Sequence, residues 1–285
     1  MASLKEIKER IKSIDSTRKI TNAMRMVSSS KLHKAQRRLQ AVLQYDRALA
    51  AMLDDLLSED AVVGPFGELR RTARVAIVAI SSNSSLCGAF NANVIKELKT
   101  QVENYEAQLG SENILLFPVG NKVADAVRRM GYEARGEYRQ LIDKPDFASA
   151  AALMGRLKGM FLAGEVDRVI TVSQHMRSMA VQEVVVETVL PVSPLSGRSG
   201  GRQRDFIVEP DRATLYDRLT DHALDQRLYT RLADSSVAEH AARVVAMQIA
   251  GDNADKLLGE LRLTYNKSRQ MAITSQLLDI FSGQR

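Results

Sequence analysis

Tryptophan is absent from this chain of 285 residues, and aromatic residues make up only 5% of it. A protein built around large aromatic-lined pockets is therefore disfavoured. The single cysteine, Cys87, excludes an internal disulfide framework and fits a reducing compartment. No apolar run approaches the roughly 18 residues that a membrane-spanning helix needs. The first residues, MASLKE, include no apolar signal region, so we expect no targeting peptide and no membrane span.

Proline and glycine are missing from residues 3–58, and in residues 211–282 only Gly251 and Gly259 interrupt the pattern. Apolar residues recur three and four apart in both segments, which predicts two long helices. At about 1.5 Å per residue, the first would span roughly 80 Å and the second roughly 100 Å. Neither helix can bury its apolar stripe alone, so we expect the two to pair as an antiparallel coiled coil.

The predicted seam of this coiled coil is weakly hydrophobic. In the first helix the stripe comprises Leu4, Ile7, Ile11, Ile14, Ile20, Met24, Val27, Leu39, Val42, Leu49, Leu53 and Leu56. In the last helix it includes Val237, Ala241, Val244, Gln248, Leu258, Leu261, Tyr265, Ser268 and Ala272. Ala, Ser, Thr, Met and Gln are frequent where a stable zipper has Leu and Ile. Such a pair is predicted to lie inside another protein.

Strands alternate with helices between the two ends, which predicts a Rossmann-like α/β domain with a mainly parallel sheet. The predicted strands are 74–81, 113–120, 168–173 and 181–189, and the predicted helices are 91–108, 123–130 and 147–162. We expect an N-terminal coiled-coil helix over 1–60, the α/β domain over 73–192, a loop and foot segment over 193–210, and a C-terminal coiled-coil helix over 211–285. Within the third segment, residues 193–204 are predicted to form an exposed, mobile loop.

Residues 81–91, SSNSSLCGAFN, follow a strand and precede a helix, a position where phosphate is often bound. The segment lacks both the three glycines of a dinucleotide site and the Gly-Lys-Ser/Thr of a P-loop. A plain turn, with Asn91 or a nearby residue capping the helix, is favoured. An enzyme with a nucleotide at this turn stays open as an alternative. Gly120 and Asn121 are predicted to form a similar turn into a capped helix.

The residues of catalytic and metal sites show no grouping along the chain. The four histidines, His33, His175, His222 and His240, have no ligand spacing with one another or with Cys87. No nucleophile elbow or triad motif is present. The sequence therefore predicts no catalytic residues, no metal and no cofactor.

The first helix is strongly basic, with eleven Lys and Arg residues but only three acids in residues 1–40. Such a helix seeks an acidic surface. A protein partner is favoured, and binding of nucleic acid phosphates or a merely solvated face are the alternatives. The aromatic residues that single-strand binders interleave with their bases are missing.

Two long motifs make the chain recognisable. Residues 11–32, IKSIDSTRKITNAMRMVSSSKL, resemble the N-terminal signature of the gamma subunits of F-type ATP synthases. The segments 239–247 (EHAARVVAM), 252–254 (DNA) and 263–274 (LTYNKSRQMAIT) are similar to the C-terminal signature of the same family. Residues 86–94, LCGAFNANV, resemble its segment after the first strand. The resemblance runs in order over nearly the whole chain.

The resemblance implies a non-catalytic subunit, the central rotating shaft of a bacterial, proton-translocating ATP synthase. One copy would lie in a ring of three alpha and three beta subunits, with the epsilon subunit and the membrane c-ring below. The implied location is peripheral, on the cytoplasmic face of the cell membrane, with no nucleic acid bound. The resemblance places contacts with the alpha/beta ring at Met24, Arg243, Arg269, Gln270 and Thr274. It places contacts with the c-ring at Glu209 and Asp211.

Overall fold

The computed structural model describes residues 4–56, 64–192 and 208–282. The predicted loop over 193–204 lies outside the described residues. The helices are α1 Leu4–Leu56, α2 Phe90–Leu109, α3 Asn121–Arg129, α4 Gln140–Asp143, α5 Phe147–Leu162 and α6 Arg212–Ser282, and Ser111–Asn113 forms a 3₁₀ turn. The strands are β1 Val75–Ile80, β2 Ile114–Val119, β3 Arg168–Met176 and β4 Gln182–Leu190.

The four strands form one sheet in the order β2-β1-β3-β4. β1 pairs in parallel with β2 and with β3, whereas β3 and β4 are antiparallel. All six residues of β1, VAIVAI, are buried, as expected for a central strand covered on both faces. The predicted mainly parallel α/β sheet between two long helices is confirmed. Its division into the four predicted segments stays a prediction.

Alternate residues of β1 enter two separate cores, because successive side chains of a strand point to opposite faces. Val75, Ile77 and Ala79 pack in a core with residues of α2 and α3. On the other face, Ala76, Val78 and Ile80 join a larger core that contains residues of α5 and of α6, among them Leu153, Met154, Leu157, Phe161, Leu224, Leu228 and Leu232. The sheet is thus a middle layer between helices.

The chain divides into two compact units, and both long helices contribute to each. We call Met1–Ser30 together with Arg243–Arg285 the helix-pair unit, and Lys31–Ala242 the sheet unit. In the helix-pair unit, Arg18 Nη1 donates to Asp255 Oδ1 at 3.0 Å, and Arg25 donates to the side chain of Gln248. Residue numbers fall along α6 as they rise along α1, so the predicted antiparallel pairing is confirmed.

Burial along α1 repeats every seven residues, the repeat of a coiled coil. The buried members of this series are Ile7, Thr21, Ser28, Val42, Leu49 and Leu56. The prediction that Ile20 and Val27 lie in the seam was wrong, since Ile20 is 59% exposed and Val27 57% exposed, whereas Met24 is half-buried. The same face of α1 packs against α6 at every heptad, including the positions of Thr21 and Ser28. The adjacent apolar residues, Ile20 and Val27, therefore point outward.

The seam on α6 shows the same one-residue difference. Gln248, predicted in the seam, is exposed, and the adjacent Met247 is buried instead. α1 lies close to α6 at Gly251, where a Cβ would make an ordinary van der Waals contact with Asn22 Oδ1 at 3.4 Å. With Ala254 and Thr21 also buried, the prediction of a seam rich in small and polar residues is confirmed, apart from its glutamine.

Candidate functional site

The turn after β1 is closed by its own side chains. Asn91 lies inside α2, where its Oδ1 accepts from the Ser82 backbone N–H at 3.0 Å and its Nδ2 contacts Cys87 Sγ at 3.1 Å. The cap position of α2 is Ala89, which has no side-chain hydrogen bond to the helix. Of the two predicted possibilities, Asn91 or a nearby residue, the cap position falls to the nearby Ala89, and the Asn91 amide instead ties the helix back to the preceding loop.

The same turn caps the neighbouring helix α3. Ser81 Oγ accepts from the backbone N–H of Val123 at 2.9 Å, and Asn83 Oδ1 accepts from that of Asn121 at 3.0 Å. Gly120 permits this approach, since a Cβ there would lie 2.3 Å from the Ser81 carbonyl oxygen. Protein acceptors thus occupy N–H groups that a phosphate would need. The geometry favours the plain turn over a nucleotide site.

A cavity of about 280 Å³ lies in the sheet unit, lined by Leu39, Leu43, Asp46, His175, Arg227, Thr230, Arg231 and Asp234. Its polar walls bond to one another. His175 Nδ1 lies 2.8 Å from Asp234 Oδ2, and Thr230 Oγ1 donates to Asp46 Oδ2 at 2.7 Å. Within residues 4–56, 64–192 and 208–282, no three His, Cys, Asp or Glu side chains are grouped in a way that could hold a metal ion.

Two of the residues assigned to the alpha/beta ring, Met24 and Arg243, differ in exposure. Met24 is half-buried on α1, and Arg243 on α6 is only 7% exposed and has its interactions within the chain. A direct partner contact is thus more accessible to Met24 than to Arg243.

The remaining ring residues lie near the end of α6. Arg269, Gln270 and Thr274 are all exposed, and Thr274 Oγ1 donates to the Gln270 carbonyl oxygen at 2.9 Å. The register of α1 against α6 brings Leu4 opposite about residue 269. These three residues therefore begin where α6 runs past the described start of α1.

The two residues assigned to the c-ring lie at the other end of α6. Glu209 is exposed. Asp211 caps α6, because its Oδ1 accepts from the Thr214 backbone N–H at 2.8 Å and its Oδ2 from the Thr214 hydroxyl at 2.8 Å. The hydrogen bond from that backbone N–H, with help from the hydroxyl, lowers the pKa of the Asp211 carboxyl. Asp211 thus has a local structural role whatever it contacts.

Exposed apolar side chains are concentrated on the helix-pair unit, a feature that the sequence reasoning missed. Among the described residues, 21 large apolar side chains are exposed, and those on this unit are Ile20, Met26, Val27, Ile249, Leu257, Leu263, Met271, Ile273, Leu277, Leu278 and Ile280. A seven-residue repeat counted along the sequence from Ile7 would have placed Thr21 and Ser28 in the seam, and so Ile20 and Val27 outside it. Apolar surface of this extent marks an interaction site.

Basic side chains accompany this apolar surface. Lys5, Lys8 and Lys12 are exposed on α1, whereas Arg18 is paired with Asp15 at 2.8 Å and with Asp255 at 3.0 Å. Lys19 also bonds to Asp15, and that hydrogen bond is the main cause that lowers the pKa of the Asp15 carboxyl. The unit thus presents cations beside apolar groups, which suits a partner that is both acidic and apolar.

Comparison with known proteins agrees with the sequence motifs. The family model described as ATP synthase matches residues 3–285. A chain from Bacteroides fragilis named ATP synthase gamma chain is 49% identical over 288 residues, covering 99% of each protein. A gamma chain from Flavobacterium johnsoniae is 38% identical over 285 residues, covering 99% of this chain and 98% of that one.

The chain belongs to the ATP synthase gamma-chain family. Members of this family are non-catalytic subunits, so the alternative of an enzyme with its own nucleotide site is set aside.

Solved structures from mitochondrial ATP synthases share the fold. A chain of the Euglena gracilis mitochondrial ATP synthase, from a structure of OSCP, F1 and c-ring, aligns with a TM-score of 0.70 at 19% identity, covering 98% of this chain and 93% of that one. A chain from the central stalk and c-ring of the Tetrahymena thermophila enzyme aligns with a TM-score of 0.62 at 22% identity, covering 81% and 99%. In the described part of this family member, none of the helices could cross a membrane.

Proposed function

We propose that this chain is the central rotating shaft of a proton-translocating ATP synthase. In this role it couples c-ring rotation, driven by ion flow, to ATP synthesis or hydrolysis at the catalytic beta subunits. The observation that carries the proposal is the exposure of eleven large apolar side chains on the helix-pair unit. This unit contributes few residues to any core, so most of its apolar surface is not buried within the chain. A helix pair of this kind gains most from burial inside a surrounding protein.

The small residues of the seam suit a shaft that rotates inside its partner. Buried Thr21, Ser28 and Ala254 let the two helices pack closely, so that the pair is narrow, and the exposed Ile20 and Val27 supply area for contact with the partner. A shaft can shift the conformation of a catalytic site only if it makes different contacts with each conformation. The two helices present different side chains around the axis, so each angle of rotation offers each of three catalytic sites a different surface.

The proposed contact residues divide by position. Contacts with the alpha/beta ring are Met24, Arg243, Arg269, Gln270 and Thr274, and contacts with the c-ring are Glu209 and Asp211. The exposed Arg269 and Gln270 are the best placed for direct bonds to the ring. Arg243, being 7% exposed, would act mainly by holding the surface of α6 in shape.

The proposed assembly contains one copy of this chain with three alpha subunits, three beta subunits, an epsilon subunit and a c-ring. The relatives named ATP synthase gamma chain are bacterial, which supports a peripheral place on the cytoplasmic face of the cell membrane. No cofactor and no nucleic acid is part of this proposal.

A tagged full-length chain, purified from its own cells under mild conditions, tests the assembly. We expect alpha, beta, epsilon and c subunits to be recovered with it, and the immobilised alpha/beta head to turn a bead attached to this chain when ATP is added. Recovery with nucleic acid and without alpha and beta subunits would contradict the proposal. An assembled head that hydrolyses ATP while the bead stays still would contradict the rotary role alone.

A further inference from the structure

Among the described residues, two ionic contacts between helix α6 and the rest of the sheet unit each use a pair of α6 residues one turn apart, in addition to the single contact of His175 with Asp234. In the first, Glu187 on β4 is bonded by Arg227 and Arg231 of α6. In the second, Lys158 on α5 is bonded by Asp221 and Asp225 of α6. We call these the glutamate clamp and the lysine clamp.

The carboxylate of the glutamate clamp is largely buried, whereas Arg227 is 43% and Arg231 25% exposed. Arg227 Nε donates to Glu187 Oε1 at 2.7 Å, Arg231 Nε donates to Glu187 Oε2, and the Glu187 side chain is 14% exposed. Burial alone would raise the pKa of Glu187, but the hydrogen bonds and positive charges of the two arginines outweigh it and leave that pKa lowered. The carboxylate is therefore held in its charged form by both arginines.

The lysine clamp has the opposite polarity, with Asp225 15% exposed and Asp221 52% exposed. Lys158 Nζ lies 2.8 Å from Asp221 Oδ1 and 2.7 Å from Asp225 Oδ1, and it donates to the Asp221 carbonyl oxygen at 3.1 Å. Its side chain is only 9% exposed. One lysine is thus fixed by three oxygens on a single turn of α6.

The clamps hold α6 at two different azimuths. At about 100° per residue, the arginine pair and the aspartate pair point in directions about 120° apart around the helix axis. Leu224, Leu228 and Leu232, all in the core between α6 and the sheet, project between them. An apolar stripe in the middle is thus flanked by an ionic contact on either side.

This arrangement resists turning of α6 about its own axis. The buried leucine stripe resists rolling through the burial that would be lost, and the two clamps add directional contacts that fix the angle of the helix. Rolling α6 by the angle between the clamps would bring its aspartates toward Glu187 or its arginines toward Lys158. Like charges would then face each other, and both clamps would be lost together.

We propose that the glutamate and lysine clamps are the torsional anchor through which the α/β part of the sheet unit and the continuous helix α6 turn as one body. The inference rests on the rotary role proposed above. Glu187, Arg227, Arg231, Lys158, Asp221 and Asp225 would then act as positioning residues that touch neither nucleotide nor ring.

Torsional stiffness of the assembled complex tests the anchor. A biotin label at Lys99→Cys, 64% exposed on α2, attaches a bead to the α/β part of the chain while the alpha/beta head is fixed to glass. Thermal fluctuation of the bead in a stalled head gives the stiffness. We expect Glu187→Gln to lower stiffness about twofold, because one of two lateral anchors is lost, and to lower ATP-driven ion pumping in membrane vesicles. ATP hydrolysis by the detached head should keep its wild-type rate.

Glu183→Gln is the matched control. Glu183 lies on the same strand and pairs with Arg177 at 2.9 Å in an exposed contact that does not involve α6. Stiffness should stay at the wild-type value in this variant.

Reversing the charges of the glutamate clamp, with Glu187→Lys, Arg227→Glu and Arg231→Glu together, should restore much of the stiffness lost in Glu187→Gln. Lys158→Met should lower stiffness independently, and Arg227→Gln weakens the glutamate clamp from its exposed side if Glu187→Gln does not assemble.

A purely structural role for the clamps predicts a lower melting temperature with unchanged stiffness, and that result would overturn the proposal. Equal losses of stiffness in Glu187→Gln and Glu183→Gln would also overturn it. Failure of the rotary role has a different signature, since the wild-type bead would then not turn with ATP at all, and both proposals would fall.

Discussion

The helix-pair unit and the sheet unit contain parts of the same two helices, yet they use them in opposite ways. In the sheet unit, α6 buries Leu224, Leu228 and Leu232 to 2% exposure or less against a large core. In the helix-pair unit, its Leu263 is 73% exposed and its Ile249 55% exposed. One continuous helix thus passes from a buried core to an exposed apolar surface, and the difference lies in what the chain places beside it.

The comparison predicts that stability and partner binding are encoded in different units. Substitutions in the sheet unit should change the unfolding of the isolated chain. Substitutions on the outer surface of the helix-pair unit should change the assembled complex while the isolated chain stays folded.

The largest effect is expected from Phe161→Ala in the sheet unit. Phe161 is fully buried on α5, and loss of its ring should lower the free energy of unfolding by about 3–5 kcal/mol. Urea unfolding of the isolated chain measures the change. Leu162→Ala is the control, since its neighbouring side chain is 48% exposed and should cost far less. Equal costs would show that the sheet unit lacks the core described above.

Acid should weaken the sheet unit through Glu187. Its pKa in the folded chain lies below the usual 4.5, because the two arginines outweigh burial. The stability that it contributes is therefore complete above about pH 4.5 and is lost as the pH falls through the lower folded value. Unfolding of wild type and Glu187→Gln, compared between about pH 3 and pH 6, checks this. The wild type should lose more stability on acidification, and parallel curves would contradict the prediction.

A smaller effect is expected where α6 begins. Asp211→Ala removes the side-chain acceptor of the Thr214 N–H and should cost about 1 kcal/mol of stability in the isolated chain. Asp211→Asn retains an acceptor and should cost less. If Asp211 also contacts the c-ring, the Asn variant should still weaken binding of the c-ring, measured by sedimentation with membranes. Equal stability of the Ala variant and wild type would remove the capping role.

The smallest effect on stability is expected at the end of the helix-pair unit. Arg269→Ala with Gln270→Ala should change the free energy of unfolding by no more than about 0.5 kcal/mol, because both side chains are exposed. The same double variant should lower coupled ATP turnover in the assembled complex. Turnover and torque equal to wild type would remove these two residues from the proposed contact with the ring.

Several elements could be predicted closely because their signals are local. Helix α5 was predicted at its observed bounds, 147–162, and β1 and β2 within one residue at each end. Burial on both faces gives β1 a continuous apolar run, and Gly120 and Asp146 mark helix starts. In contrast, β3 extends three residues beyond its predicted end, because the polar Gln174 and His175 hide the strand pattern and these residues pair with β4 across the hairpin.

The candidate site was predictable only in part. The motifs pointed to the correct family, but hydrophobicity placed Ile20 and Val27 in the seam, and they lie outside it. Local pattern also left the cap of α2 open between Asn91 and a nearby residue; the cap position is Ala89, and the Asn91 amide bonds to Ser82. In both cases local pattern leaves two arrangements possible, and only the packing of distant residues selects which side chain is buried or which group it bonds.

By itself the sequence determined that this protein has two long helices around an α/β sheet, and its motifs were enough to indicate the family. Hydrophobic periodicity and the residues that end helices and strands are properties of neighbouring positions, so the sequence contains them in full. Only the tertiary structure decided which face of each long helix is buried and that Glu187 and Lys158 anchor α6 at two azimuths. The clamp contacts join residues as many as 67 positions apart, from Lys158 to Asp225, and the packing of the sheet, not local pattern, sets which of them meet.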